Sequence, residues 1–127
     1  MRVAVSAESN LGLEANVGSH FGHSPFFALV DLEGGQVKSV LMLANPAYPE
    51  HVPGVVPQFI HSHGVDIMLT GGMGHRAVTF FEQYGIRPVT GANGTVRQAL
   101  ERFLRGELTG STPCHDRDSH AGCGQKT

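Results

Sequence analysis

The sequence predicts an α/β fold built on one mixed sheet of five strands. Three observations lead to this prediction: an apolar opening strand, a glycine–glycine hairpin between two further strands, and then an alternation of helix and strand. A hairpin joins antiparallel strands, whereas intervening helices join parallel ones, so one edge of the sheet should be antiparallel. Right-handed crossovers then place helices on both faces.

The amino-terminal part supplies three strands. Residues 2–6 have the apolar character of a buried strand, and the polar stretch 7–25 is too irregular for a helix or strand. Strands are predicted over 26–32 and 36–43. Residues 33–35, Glu-Gly-Gly, form the turn between them, because glycine supplies the positive φ that a tight hairpin requires.

The carboxyl-terminal part begins with a proline-containing loop over 45–53. A short helix is predicted over 54–63, where Pro57 fits only the first turn. Buried strands follow over 65–70 and, more briefly, over 86–90.

Two amphipathic helices complete the predicted elements. One spans residues 74–84 and ends at Gly85, and the other opens at Asn93 or Gly94 and ends at Gly106. Their apolar residues recur at helical spacing. These are Ala77, Phe80, Phe81 and Tyr84 in the former, and Val96, Ala99, Leu100, Phe103 and Leu104 in the latter.

Composition restricts the class of protein. With 127 residues, 40% hydrophobic and 16% charged, the chain predicts one globular domain over 1–108, followed by a flexible tail over 109–127. A net charge of −2 without a Lys/Arg cluster argues against nucleic acid as a partner. No apolar run approaches the roughly 20 residues that span a bilayer, and no secretory signal is recognised, so we expect a cytoplasmic protein without membrane contact.

Ligands of such sheets bind beyond the carboxyl ends of the parallel strands. This rule selects the loop after the first strand, residues 71–75 and residues 91–94. Gly71-Gly72-Met73-Gly74-His75 joins a buried strand to a helix, so its amides and the positive end of the helix dipole face one point. Met73 would either pack or offer a soft thioether. The alternative is a tight connection that uses glycine only for its geometry.

The loop after the first strand offers two imidazoles. His20 and His23 flank Phe21-Gly22 at i, i+3 spacing, and we expect His20 and His75 to face a common cleft. The alternative is that these loop histidines are merely solvated. His51, His61 and His63 are weaker candidates.

The predicted tail contains both cysteines of the chain. Thiolate and imidazole suit zinc, copper(I) and iron–sulfur species, whereas the spacing of the cysteines differs from that of common zinc knuckles. A disulfide, redox chemistry and an inert tail remain alternatives. The candidate metal ligands here are Cys114, His115, His120 and Cys123.

Several segments occur in a characteristic order: Ser19–Phe27, Asp66–Gly74, Tyr84–Val89 and Gly91–Val96 followed by Ala99-Leu100. Together they resemble the dinitrogenase iron–molybdenum cofactor biosynthesis family, which includes NifX-type carriers, over about residues 1–108. The resemblance implies a ribonuclease-H-like motif with sheet order 3-2-1-4-5. It also implies a role in binding or carrying anionic iron–sulfur or molybdenum–iron–sulfur clusters.

We therefore expect a non-enzymatic cluster carrier that exchanges its cargo with a donor or acceptor protein and is a monomer or weak homodimer. A zinc-binding or redox-responsive regulatory protein is the alternative. A nuclease is disfavoured, because metal-assisted cleavage needs clustered carboxylates, and Asp31 and Asp66 lie near opposite kinds of strand end. The predicted cofactor-binding residues are Ser19, His20, Gly71, Gly72, Met73, Gly74 and His75. The predicted metal ligands are His20, His23, His75, Cys114, His115, His120 and Cys123.

Overall fold

A five-stranded mixed sheet organises the computed structural model, which describes residues 1–47, 54–108 and 110. The predicted strands and helices all occur, with ends that differ by no more than three residues. In chain order they are β1 (Arg2–Ala7), β2 (Phe26–Glu33), β3 (Gln36–Ala44), α1 (Val55–His61), β4 (Ile67–Leu69), α2 (His75–Gln83), β5 (Arg87–Val89) and α3 (Val96–Leu104).

The sheet has the order β3-β2-β1-β4-β5. β1 pairs antiparallel with β2 and parallel with β4, so it lies at the junction of the two kinds of pairing. β2 and β3 are antiparallel, and β4 and β5 are parallel. The predicted mixed sheet and its order 3-2-1-4-5 are confirmed, whereas the ribonuclease-H-like motif stays a prediction.

The hairpin between β2 and β3 turns at Gly34 and Gly35, as predicted. Their φ values are 61° and 79°, which is the left-handed conformation that both central residues of a type I′ turn require. The register shifts between Asp31 and Leu32, so one extra residue of β3 is accommodated there.

Helices cover both faces of the sheet, as predicted. Alternation along β1 directs Val3 and Val5 towards α3, whereas Ala4 faces α1 and α2. The α3 face is closed by Val96, Ala99 and Leu100. The opposite face is closed by Val56 and Ile60 of α1 and by Val78 and Phe81 of α2.

Two details of the predicted helices were wrong. In α2 the predicted Phe81 is buried, and the predicted Ala77 and Tyr84 are half-buried and pack against the core, but the buried Val78 was not predicted and Phe80 is only half-buried. In α3 the predicted Leu104, the last residue of the helix, is 40% exposed.

The start of α3 also differs from the prediction, whereas the helix ends agree with it. Thr95, not Asn93 or Gly94, is the N-cap, because its hydroxyl accepts from the Gln98 amide and the Gln98 side chain accepts from the Thr95 amide. Gly85 and Gly106, at φ 76° and 81°, follow α2 and α3 as predicted.

The segment predicted to be irregular, 7–25, contains two short 3₁₀ turns, Gly12–Glu14 and Phe21–His23. A turn of this kind needs only three residues and leaves no apolar periodicity to detect. The tail prediction for 111–127 lies outside the described residues, as do His51 and most of the predicted loop 45–53.

Candidate functional site

Three loops meet at the edge of the sheet where the parallel strands end: residues 16–24 (first loop), 70–74 (second loop) and 90–95 (third loop). The first and second loops are joined through their backbones. The Gly71 amide donates to the Gly18 carbonyl at 3.1 Å, and the Phe21 amide donates to the Gly72 carbonyl at 2.8 Å. The convergence predicted from strand direction is therefore present for these two loops.

The third loop is bonded to both of the others. The Gly91 amide donates to the Gly71 carbonyl at 3.1 Å, and the Val17 amide donates to the Gly94 carbonyl at 2.8 Å. Backbone hydrogen bonds therefore connect each loop to the other two, and few side chains take part in the junction.

Gly71 is at the closest approach of the three loops. A Cβ at this position would lie 2.9 Å from Ser19 Cα, 3.0 Å from the Gly18 carbonyl oxygen and 3.2 Å from the Ala92 carbonyl oxygen. Backbone atoms cannot give way as the end of a side chain can, so a larger residue would push the loops apart. At Gly71 the absence of a side chain therefore does allow a close approach, but the group that approaches is the protein's own backbone.

Two buried hydroxyls beneath the junction were not predicted. Ser6 Oγ and Thr70 Oγ1 are 2.6 Å apart, and both side chains are fully buried. Ser6 donates to the Gly18 carbonyl at 3.2 Å, so the pair connects the ends of β1 and β4 to the first loop. The sequence did contain a signal for this pair, because a polar residue lies at the end of each of two apolar strands: Ser6 in β1 and Thr70 after β4.

The second loop presents unpaired amides at the start of α2. Gly74 is the N-cap, and no side chain caps the helix there. Within the described part of the chain, the amides of Gly72, Met73 and Gly74 have no hydrogen-bond acceptor. These groups and the positive end of the helix dipole together favour an anion.

Met73 has one of the two roles that were considered for it. Its side chain is 2% exposed and packs in the core beneath α1 and α2. The thioether is therefore directed away from solvent, and since the residue as a whole is buried, its backbone is also largely covered. A cofactor-binding role for that backbone stays a prediction.

His20 and His23 project from the 3₁₀ turn of the first loop. Both are exposed, and their ring centroids are 6.1 Å apart. Ser19 and Phe21, on either side of His20, both contact the second loop through their backbones. His20 therefore lies beside the glycine segment, as predicted from the chain order.

His75 is the first residue of α2 and is exposed. It lines a surface cavity of about 290 Å³ together with Arg76, Thr79, Phe80 and Gln83. That cavity follows the outer face of α2. Whether His20 and His75 share one cleft stays a prediction.

Within residues 1–47, 54–108 and 110, no three His, Cys, Asp or Glu side chains are grouped so that they could hold a metal ion. The predicted ligands Cys114, His115, His120 and Cys123 lie outside these residues. Of the weaker candidates, His61 stacks on Tyr84 at a centroid distance of 4.4 Å, and a His63 ring nitrogen is 2.9 Å from the Phe59 carbonyl oxygen.

The two carboxylates weighed for a nuclease lie at the opposite edge of the sheet. Arg2 Nε donates to Asp31 at 2.8 Å, and the Arg2 amide donates to Asp66 at 2.8 Å. As expected, Asp31 lies near the end of β2, whereas Asp66 precedes β4. Because β2 runs antiparallel to β1 and β4, these two kinds of strand end meet at one edge of the sheet. The hydrogen bond from Arg2, followed by that from Ser39, holds the pKa of Asp31 below its usual value.

No helix within the described ranges combines the length and the apolar character needed to cross a membrane.

Comparison with known proteins gives consistent matches over most of the chain. A family model described as "Dinitrogenase iron-molybdenum cofactor" matches residues 1–106. The crystal structure of PH0822 is 42% identical and superposes with a TM-score of 0.76, covering 86% of this chain and 95% of that one. The apo form of the orange protein from Desulfovibrio gigas is 29% identical, with a TM-score of 0.77 and coverage of 88% and 93%. The uncharacterised protein MJ0580 of Methanocaldococcus jannaschii is 26% identical over 110 residues, which are 85% of this chain and 89% of that protein.

Proposed function

This chain belongs to the dinitrogenase iron–molybdenum cofactor family, and from that premise we propose that it binds and carries an anionic metal–sulfur cluster without catalysing a reaction. The observation that carries the proposal is that the amides of Gly72, Met73 and Gly74, just before α2, have no acceptor among the described residues, and that no side chain there caps the helix. Cargo of the iron–sulfur or molybdenum–iron–sulfur type fits this arrangement.

The chemistry of the cargo explains why amides suit it. A metal–sulfur cluster is an anion whose sulfides accept hydrogen bonds, and such bonds stabilise its charge. Of the three amides, that of Gly74 belongs to an exposed residue, and a Cβ built there would meet no described atom within 4 Å, whereas Gly72 and Met73 are buried. Ser19 and His20 of the first loop border the same segment.

Imidazoles then supply displaceable bonds to the metal. His20 beside the second loop and His75 at the first turn of α2 are both exposed, so an incoming cluster could reach either ring. One or two protein ligands suit a carrier, since a cluster with every metal position filled by protein leaves slowly. A donor or acceptor protein would complete the exchange.

The proposal is tested by placing a carboxylate where the cluster should bind. Gly74 has φ −71° and ψ 163°, which is the conformation of an N-cap, so Gly74→Asp introduces no backbone strain. The aspartate should cap the amides of Arg76 and Ala77 and place a negative charge beside those of Gly72, Met73 and Gly74, which would repel the anion. We expect anaerobic uptake of a synthetic, thiolate-ligated four-iron–four-sulfur cluster, measured by charge-transfer absorption, to fall at least about tenfold while the melting temperature stays equal or rises.

Gly74→Ser is the matched control, because serine caps the same amides without a charge. An intermediate loss of uptake in this variant, and a larger one in Gly74→Asp, would assign the effect to both hydrogen bonding and charge. Full uptake by a folded Gly74→Asp protein would refute binding at the start of α2.

The zinc-binding and redox-regulatory alternatives depend on Cys114 and Cys123, outside the described residues. They predict a colourless protein after anaerobic purification, whereas a cluster carrier purified with cargo should be brown. Changing both cysteines to serine should weaken metal uptake and leave the domain folded, because the core lies upstream of the tail.

A further inference from the structure

The 3₁₀ turn of the first loop places two imidazoles side by side. His23 ends the 3₁₀ turn, and His20, three residues earlier, is its N-cap with an extended backbone at φ −132° and ψ 122°. The His23 amide donates to the His20 carbonyl at 3.1 Å and closes the turn. The turn therefore holds the two backbones close together, and the ring centroids are 6.1 Å apart.

The turn is anchored on its inner side. Phe21 is buried between Phe27 and Phe81, with ring centroids 5.6 and 5.2 Å away. The core thus holds the middle of the turn while both histidines point outward.

The end of the turn is clamped as well. The buried Ser24 hydroxyl donates to the His20 carbonyl at 3.1 Å. The side-chain amide of Asn45, also buried, donates to the Ser24 carbonyl at 2.7 Å, and the Asn45 backbone amide donates to the Pro25 carbonyl at 2.9 Å. The loop therefore has a defined geometry before any ligand arrives.

We propose that His20 and His23 form a bidentate site for a single divalent transition-metal ion of the zinc, nickel or copper type. Imidazole nitrogens bind such ions at about 2.0–2.1 Å, which places two ring centroids roughly 5–6.5 Å apart. The observed separation is 6.1 Å. No ring nitrogen of either histidine is hydrogen-bonded to a residue that the structure describes, so both are available to a metal.

Two histidines are too few ligands for a structural zinc site, but they suit an ion that binds and leaves reversibly. Two protein ligands leave the remaining coordination positions to water or to a third group, whereas a closed zinc site takes four protein ligands. The inference does not depend on cluster carriage, since the ion would bind the chain in the absence of any cluster.

A zinc titration of the full-length chain tests the pair. With ¹⁵N-labelled protein near pH 7.5, where histidine is mostly neutral, the imidazole signals report each ring separately. We expect the His20 and His23 signals to shift along one shared saturation curve, at lower zinc than those of His61. His20→Ala should raise the zinc needed to shift His23 at least about tenfold, because the chelate is lost, and His23→Ala should do the same to His20.

His61→Ala is the matched control, since this exposed histidine is stacked on Tyr84 away from the turn, and it should leave the shared curve unchanged. Separate curves for His20 and His23, or single variants that leave the remaining ring unaffected, would overturn the proposal. The titration is repeated with Cys114 and Cys123 both changed to serine. If this variant retains the shared curve of His20 and His23, the result supports the proposed site. If the curve is lost, the ion is assigned to the tail instead.

Discussion

At the scale of single residues, Arg2 shows how one side chain can join several elements. Its guanidinium donates to Asp31 of β2 and, at 2.7 Å, to the carbonyl of His63 just after α1. Its backbone amide meets Asp66, which precedes β4. These contacts hold the edge of the sheet opposite the three loops.

The Arg2–Asp31 pair predicts a dependence of stability on pH. Because the pKa of Asp31 is lowered in the folded state, its carboxylate stabilises the fold above the pKa of the unfolded chain, and this stabilisation is lost as the pH falls through the folded pKa. Asp31→Asn should therefore lower the melting temperature at neutral pH, and the difference from the parent should shrink below about pH 4.

Thermal melts over a pH series measure this effect. Glu33→Gln is the control, because Glu33 and Lys38 are 4.0 Å apart and both exposed, so little change is expected at any pH. A melting difference for Asp31→Asn that stays constant into acid would contradict the linkage to this carboxylate.

At the scale of elements, the starts of α2 and α3 differ in how they are capped. Thr95 and Gln98 cap α3 with a reciprocal pair of hydrogen bonds, whereas no side chain caps α2 at Gly74. Both helices begin beside the same junction of loops. Among the described residues, the amides just before α2 have no acceptor, whereas the Gln98 amide of α3 is bonded to its cap.

Thr95→Ala should destabilise the protein by about 1 kcal/mol, because the Gln98 amide loses its acceptor. Chemical denaturation measures the loss. Thr79→Ala is the control: the Thr79 hydroxyl bonds only to the carbonyl of His75 within α2, so a change within about 0.5 kcal/mol is expected. Equal losses in the two variants would show that the capping box is not what stabilises α3.

At the scale of the whole molecule, the core on the α1–α2 face supports the site directly. Phe81 is fully buried and meets Phe21 edge-on, and Phe21 anchors the turn that carries His20 and His23. The other core, under α3, packs on the opposite face of the sheet. Packing on the α1–α2 face should therefore affect the turn that carries His20 and His23 more than packing under α3.

Phe81→Ala should cost about 3–5 kcal/mol and also loosen the first loop, because Phe21 loses its neighbour. Hydrogen exchange at the Phe21 amide, which bonds to Gly72, reports the local effect. Leu100→Ala, in the α3 core, should cost about 2–5 kcal/mol and leave this amide protected up to global unfolding. If Phe81→Ala does not fold, Phe81→Leu gives the same comparison with a smaller cavity. Equal exchange in both variants would refute the coupling.

Much of the fold was predictable because its signals are local. Apolar strands, the Gly34-Gly35 turn, and the glycines after α2 and α3 act through residues close together in the chain, so the order of elements could be read from the sequence. Strand direction then indicated which loops share an edge, and the first and second loops do meet there. The family resemblance supplied the sheet order and the expected cargo.

The tertiary structure alone decided how those elements are joined. Ser6 and Thr70 are 64 residues apart, as are Arg2 and Asp66, and neither pairing leaves a periodic signal in the sequence. Burial of Val78 and Met73 depends on how α2 and the second loop are seated on the sheet. Local sequence sets which elements form, because their hydrogen bonds close within a few residues. Packing between distant segments sets where their side chains point, and the site depends on that packing.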